Sequence, residues 1–301
     1  MSQPTLIIVG GPTASGKTAL AIEIAKHFNT EIISADSRQC FREMNIGTAK
    51  PSEEECAQIK HHFIDELSVT DNVNAGVFCD YAHQKITALS QTKSCIVVTG
   101  GTGLYIKALL EGLDDLPPIP EDFRSALKLE YLTKGLTFFT EELKQKDPDH
   151  YAKVDLNNPS RVIRAIELIR FTGQPYSSLI NKKEPIKKYP SINLCIDLPR
   201  EILYERINLR VDKMIENGLV REVESLIPYR NHSSLHTVGY SELFDFFDGN
   251  STLEEAIELI KQHSRNYAKR QLTWFKNQGN YQMVKGDLQE ILPLISTLKN
   301  N

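Results

Sequence analysis

The chain has 301 residues, enough for one large domain or two small ones, and its 41% hydrophobic and 25% charged composition is that of a globular protein with a proper core. No apolar run approaches the ~20 residues of a membrane span, and the amino terminus lacks the charged-then-apolar layout of a signal peptide. A formal net charge of −4 excludes indiscriminate coating of nucleic acid but leaves room for a local basic surface.

In chain order, Leu6–Val9 predicts a short buried strand, followed by the glycine loop "GGPTASGKT" and a helix, "KTALAIEIAKHF", in which Leu20, Ile24 and Phe28 recur every four residues. "EIIS" (31–34) predicts a second strand near the first. "CIVVTGGTG" (95–103) predicts a third, followed by a helix, "LYIKALLEGL". Strands alternating with helices define an α/β fold with a parallel sheet covered on both faces. Three prolines in "DDLPPIPEDF" (114–123) mark a boundary. From 121 to 179 no strand is evident and helices dominate, one with Asn158 as cap and Pro159 at its first position. "NKKEPIKKYP" (181–190) reads as a linker, and "INLCIDL" (192–198) returns to strand. The organisation expected is a core of 1–118 and 191–301 with a helical insertion at 119–190.

An amphipathic helix follows from Arg200, with Leu203, Ile207, Val211 and Met214 on its apolar side and Gly218 as its stop. The last long helix, about 252–276, opens on a capping box of Ser251 and Glu254. Its expected apolar face is Leu253, Ile257, Ile260, Tyr267, Leu272 and Phe275, and Trp274 beside it reads as core. Five scattered cysteines, with no CxxC pair, argue against a disulfide framework or a zinc site and for a reducing cytoplasm.

The chemistry begins at Gly11-Pro12-Thr13-Ala14-Ser15-Gly16-Lys17-Thr18, which fits G-x-x-x-x-G-K-[ST] in full. Its backbone N–H groups close round phosphate oxygens, the helix amino terminus adds positive potential, Lys17 brings a charge and Thr18 offers a hydroxyl to Mg²⁺. Such a loop implies a phosphate ligand without implying nucleotide hydrolysis. Many P-loop NTPases end the third strand in an aspartate that helps hold Mg²⁺; here it ends in "TGGTG", with Thr102 expected to turn its hydroxyl into the crevice at the strand ends. Asp36, just past the second strand, could bind Mg²⁺, orient a ligand, accept a proton, or simply cap a turn. Arg206 and Arg210, four apart on one helix, could reach phosphate or pair with Glu205 or Asp212. Residues 261–276 carry Lys261, Arg265, Lys269, Arg270 and Lys276 with no acid among them. A charge stripe is usually a solvated face; this one could also meet phosphates.

Six stretches occur in order: "GPTASGKT", "SADSRQ", "MNIGTAKP", "VVTGGTGLYIKALLEGL", "HTVGYSE" and "AKRQLTWFK". Together they closely resemble the tRNA dimethylallyltransferases of bacterial type, over about residues 5–276. The resemblance implies transfer of a dimethylallyl group from dimethylallyl diphosphate to N6 of the adenosine immediately 3′ of the anticodon, in tRNAs reading U-starting codons. It implies a P-loop NTPase-like core, Mg²⁺ and the tRNA anticodon stem-loop as partner; a cytoplasmic monomer is expected, though the sequence does not fix the oligomeric state. Donor diphosphate would lie on the phosphate loop and Arg210, with the metal at Thr18. Asp36 matches the family's base, and Thr102 a residue that positions the transfer and touches tRNA. By the same resemblance Ser37, Arg38, Gln39, Arg124, Arg161, Lys269 and Arg270 contact tRNA. Ser160 stands where many members carry Gln. The alternatives are a small-molecule kinase, an adenylate isopentenyltransferase acting on free nucleotides, and a tRNA-binding protein without activity.

Overall fold

The computed structural model describes residues 3–180 and 188–299, with side chains to 296. Most of the segment read as a linker, 181–190, therefore lies outside the described residues. The chain divides into two compact units, 1–111 with 187–301, and 112–186.

In the first unit the chain runs β1 (Thr5–Gly10), α1 (Lys17–His27), β2 (Ile32–Ser34), α2 (Glu53–Gln58), β3 (His61–His62), α3 (Ala75–Leu89), β4 (Cys95–Gly100) and α4 (Gly103–Glu111). The second unit supplies α5 (Glu121–Lys146), α6 (Pro148–Tyr151), α7 (Pro159–Thr172) and α8 (Tyr176–Leu179). The first then resumes with β5 (Ser191–Ile196), α9 (Arg200–Glu216), α10 (Leu219–Ser225), α11 (Ser241–Phe247), α12 (Leu253–Asn277), β6 (Gln282–Val284) and α13 (Leu288–Lys299).

The six strands form one parallel sheet in the order β3-β2-β4-β1-β5-β6. β1 and β4 pair in register from Thr5 with Cys95 to Gly10 with Gly100. Both are buried on both faces, which is why each reads as an unbroken apolar run rather than an alternation. Leu6, Ile8, Ile96 and Val98 point to one side, into a core built with Phe78 of α3, Ile106 of α4 and Ile260 of α12. Ile7, Val9 and Val97 point to the other, against Leu20 and Ile24 of α1 and Ile291 of α13. The second strand is not beside the first: β4 lies between them. Edge strands β3 and β6 have only two and three residues, too few to carry a period. The carboxyl ends of β1, β4 and β2 bring loops 11–16, 101–102 and 35–39 to one edge of the sheet, where parallel α/β folds bind their ligands.

α12 departs from its reading in two ways. Its N-cap is Thr252, whose hydroxyl accepts from Glu255 N at 3.2 Å while Glu255 answers on Thr252 N at 2.8 Å, so the capping box begins one residue later. The buried stripe is Ala256, Ile260, Ala268, Gln271 and Phe275. Small residues let neighbouring helices approach, and Tyr267 is left exposed. Trp274 is half-buried, its ring edge-on to Phe275 at 5.1 Å.

The second unit has no strand among its described residues. α5 is broken at Gly135, which has φ 72° and ψ 176°. Leu127, Phe139 and Leu143 of α5 pack on Val162, Ile166 and Ile169 of α7. Asn158 caps α7 by accepting from Arg161 N at 3.2 Å, with Pro159 at the first helical position.

Candidate active site

The strand-end loops enclose a cavity of about 990 Å³, lined among others by Lys17, Thr18, Asp36, Arg206, Arg210 and Arg270. Lys17, the first residue of α1, donates to Pro12 O at 3.3 Å across the phosphate loop. Burial pulls its ammonium down from its ordinary value to about 8; the positive Arg210 adds to the effect and the Asp36 carboxylate opposes it. Arg210, on α9, donates to Thr13 Oγ1 at 3.0 Å and to Ala49 O at 3.4 Å. Its guanidinium is pressed down by the same burial. Two desolvated cations facing one phosphate loop form a site that gains from an anion. Arg206 Nη1 lies 3.9 Å from where a Cβ would stand on Gly16, so it too overlooks the loop.

Asp36 both caps a turn and faces the cavity. Its Oδ1 accepts from Arg38 N at 2.9 Å and Gln39 N at 3.3 Å, which fixes the carboxylate plane. Thr102 was expected to present its hydroxyl to the crevice, but it stands one step back and does not line the cavity. Its Oγ1 accepts from Ser37 N at 3.0 Å and its backbone N–H reaches Ala35 O at 3.2 Å, because the turn that opens α4 packs against the 35–37 turn. Ser37, Arg38 and Gln39 all line the cavity. The Gln39 amide is spent inside the protein, donating to Thr48 O at 3.3 Å and Ala49 O at 3.1 Å.

Gln271 was missed at the sequence level. It is buried on α12, accepts from Thr13 N at 2.9 Å and donates to Gly101 O at 2.9 Å. One amide therefore ties the phosphate loop to the turn after β4. A Cβ at 101 would lie 2.1 Å from Gln271 Nε2, so any other residue there would displace this amide. A lone polar residue inside a stripe of Ala, Ile and Phe is the signal that could have found it.

The basic stripe on α12 is smaller than expected. Lys261 pairs with Asp212 of α9 and with Glu258, both at 2.9 Å, Arg265 donates to Asn208 at 2.7 Å, and Lys276 pairs with Asp197 at 2.9 Å. The compensating acids come from other segments, which a reading of 261–276 alone overlooked. The pairing of Lys261 with Asp212 also takes away one of the partners considered for Arg210. Lys269 and Arg270 remain exposed, the Arg270 guanidinium 5.7 Å from the Tyr267 ring centre.

Arg124, Ser160 and Arg161 belong to the second unit and are not among the cavity's lining residues. Arg124 pairs through Nε with Glu167 at 3.0 Å, and Ser160 and Arg161 are exposed on the first turn of α7.

A parallel sheet, a complete phosphate loop and a cationic cavity that also holds a carboxylate define a P-loop-like enzyme that handles a phosphorylated substrate. The family model described as IPP transferase matches residues 39–278, a range that begins after the phosphate loop and Asp36. A tRNA dimethylallyltransferase of Cytophaga hutchinsonii is 47% identical over 291 residues, 96% of each chain, and so spans both. Among solved structures, the full-length tRNA isopentenylpyrophosphate transferase of Bacillus halodurans is 37% identical with a TM-score of 0.74, covering 98% of this chain and 97% of that one. A tRNA isopentenylpyrophosphate transferase of Staphylococcus epidermidis is 40% identical with a TM-score of 0.70, covering 99% of each. The chain belongs to the IPP transferase family, that of the tRNA dimethylallyltransferases.

Proposed function

We propose that the cavity is where a dimethylallyl group passes from dimethylallyl diphosphate to the exocyclic N6 of the adenosine immediately 3′ of the anticodon. The observation that carries this reading is the meeting, in one cavity, of a desolvated cation pair on a phosphate loop with an oriented carboxylate. The donor's diphosphate lies on the loop's N–H groups, Lys17 and Arg210, whose charge stabilises it as a leaving group. The C–O bond to the diphosphate breaks as the C–N bond to N6 forms. Asp36 takes the N6 proton. Its Oδ1 is held by two backbone donors, which leaves Oδ2 to act as the base. N6 is a poor nucleophile because its lone pair is shared with the ring, so a base is worth ~10²–10⁴-fold. The adenosine has to leave its stack to reach a donor held in a cavity.

The donor set suits Mg²⁺. Thr18 offers a hydroxyl to the cavity beside the phosphate loop, and no group of three or more His, Cys, Asp or Glu among the described residues forms a closed cage. Mg²⁺ favours such sparse sites, taking its other ligands from phosphate and water. Bound at Thr18, it would neutralise charge on the departing diphosphate.

Ser37, Arg38, Lys269 and Arg270 serve as the tRNA surface of the first unit, and Arg124, Ser160 and Arg161 as that of the helical unit, a 119–190 insertion in this reading. Five scattered cysteines with no CxxC pair fit a reducing cytoplasm, and no helix among the described residues is long and apolar enough to cross a membrane.

The test is incubation with labelled dimethylallyl diphosphate and Mg²⁺, with unmodified tRNA and free AMP as parallel acceptors. Label should enter tRNA and not AMP. Label in AMP would favour a free-nucleotide enzyme, and ATP turnover without tRNA and without prenyl transfer would favour a kinase.

A further inference from the structure

The "HTVGYSE" block and helix α10 carry none of the chemistry above, yet they converge on one half-buried arrangement. Glu222 of α10 receives three consecutive backbone donors of the 45–47 loop: Asn45 N at 3.0 Å and Ile46 N at 2.7 Å on Oε2, and Gly47 N at 3.0 Å on Oε1. The Tyr240 hydroxyl donates to the same Oε1 at 2.6 Å, and Tyr240 is 0% exposed. A Cβ on Gly47 would stand 2.6–2.7 Å from Tyr240 ring atoms, so loop and ring fit only as glycine against tyrosine. Successive N–H groups turned to one point make an anion nest, and here the anion is the protein's own.

The loop held in this way continues into Thr48 and Ala49. Both carbonyls accept from Gln39 Nε2, at 3.3 Å and 3.1 Å, and Ala49 O also accepts from Arg210 Nη2 at 3.4 Å. The other end of that guanidinium is on Thr13 of the phosphate loop, at 3.0 Å. A chain of contacts thus runs from Tyr240 through Glu222 and the 45–49 backbone to Arg210 and Gln39.

We propose that Glu222, locked by Tyr240, is a positioning residue for the donor site: it fixes the 45–49 backbone that aims Arg210 at the diphosphate and holds Gln39 in the cavity wall. The inference rests on reading Arg210 and the phosphate loop as the diphosphate site. It assigns a role to Tyr240, which neither touches substrate nor lines the cavity.

The test measures inorganic diphosphate binding by calorimetry, KM for dimethylallyl diphosphate and for tRNA, and melting temperature. The variants are Glu222→Gln, Tyr240→Phe, Arg210→Gln and the double variant Glu222→Gln/Arg210→Gln. A glutamine presents N–H₂ where the loop also presents N–H, so Glu222→Gln should weaken diphosphate binding and raise the donor KM about tenfold, within the range for a partly buried donor left facing a donor, with the tRNA KM unchanged. Tyr240→Phe keeps the carboxylate and should shift both in the same direction by a few-fold; it carries the test if Glu222→Gln fails to fold. In the Arg210→Gln background, Glu222→Gln should have little further effect on diphosphate, since residues acting through one another are not additive. If Arg210→Gln leaves diphosphate binding intact, the donor-site reading itself is wrong. If Arg210→Gln weakens it while Tyr240→Phe and Glu222→Gln lower only the melting temperature, or if the effects simply add, the positioning role is overturned and Glu222 is structural.

Discussion

The best-connected polar side chains of the two units hold different things. In the first unit they reach for backbone: Glu222 to three N–H groups, Gln271 to Thr13 N and Gly101 O, Gln39 to Thr48 O and Ala49 O, Asp36 to Arg38 N and Gln39 N. In the second, charged side chains reach for each other. Arg170 of α7 joins Glu130 and Glu142 of α5, each at 2.5 Å, and Arg124 and Arg164 share Glu167. The difference follows from what needs fixing. Helices satisfy their own backbone, so ion pairs only staple them together. Loops at strand ends do not, and their N–H and C=O groups must find side chains or water. Breaking a contact in the first unit should therefore cost site geometry; breaking one in the second should cost stability and leave chemistry alone.

The largest effect is expected at Asp36. Asp36→Asn keeps an acceptor for Arg38 N and Gln39 N but removes the base, so single-turnover transfer should fall ~10²–10⁴-fold while tRNA binding, measured by filter retention, survives. Near-normal turnover would falsify its role as base. Gln271→Ala comes next. It leaves Thr13 N and Gly101 O without their partner, at ~1–3 kcal/mol each, and so should lower kcat/KM by about ten- to a hundredfold. Gln271→Glu should not rescue it, because a carboxylate cannot donate to Gly101 O. A variant that loses only melting temperature would place Gln271 with the staples of the second unit instead.

These two residues also mark how far the sequence could be read. Asp36 was legible because its signal is local: an apolar run, then a carboxylate at the strand end. The phosphate loop and the central strands were legible for the same reason, spacing and burial within ten residues. Gln271 was not, because its partners lie 258 and 170 residues away and it sits beside a conspicuous run of cations. The basic stripe failed similarly, since the acids that pair with Lys261 lie outside 261–276: Glu258 one turn earlier and Asp212 on another helix. The capping box was off by one because Ser251 with Glu254 and Thr252 with Glu255 both fit S/T-x-x-E, and the structure uses the second.

A smaller and reversible effect is expected from Lys17. In the free enzyme it holds its proton only below about 8, chiefly because it is buried. A bound diphosphate favours the charged form, so above that pH binding takes up a proton and affinity falls as pH rises. The donor's own phosphate protons leave near about 6 and add nothing there. Affinity for dimethylallyl diphosphate itself, measured by calorimetry without tRNA, should thus change little from pH 7 to 8 and decline by up to about tenfold per unit above it. Lys17→Arg, which stays charged, should abolish the slope whatever it does to the absolute affinity. A slope that survives that substitution would assign the titration to another group.

The smallest effect on chemistry is expected from the second unit. Arg170→Met removes the hub between α5 and α7 and leaves Glu130 and Glu142 facing each other's charge. Inorganic diphosphate binding and the donor KM should not change. Amide exchange along α7 should quicken, and the unit should lose ~1–3 kcal/mol, the range for losing one partner of a partly buried charged hydrogen bond. The pH dependence gives the sign. Arg170, and then Lys134, hold the Glu130 carboxyl down at about 2, and Arg170 lowers that of Glu142 as well. A depressed carboxyl stabilises the fold above its unfolded value of about 4.3, and that stability is lost as pH falls toward 2. Wild-type α7 protection should therefore drop between roughly pH 4.3 and 2, with much less change in Arg170→Met. If Arg170→Met instead altered diphosphate binding, the division between loop-fixing and helix-stapling contacts would not hold.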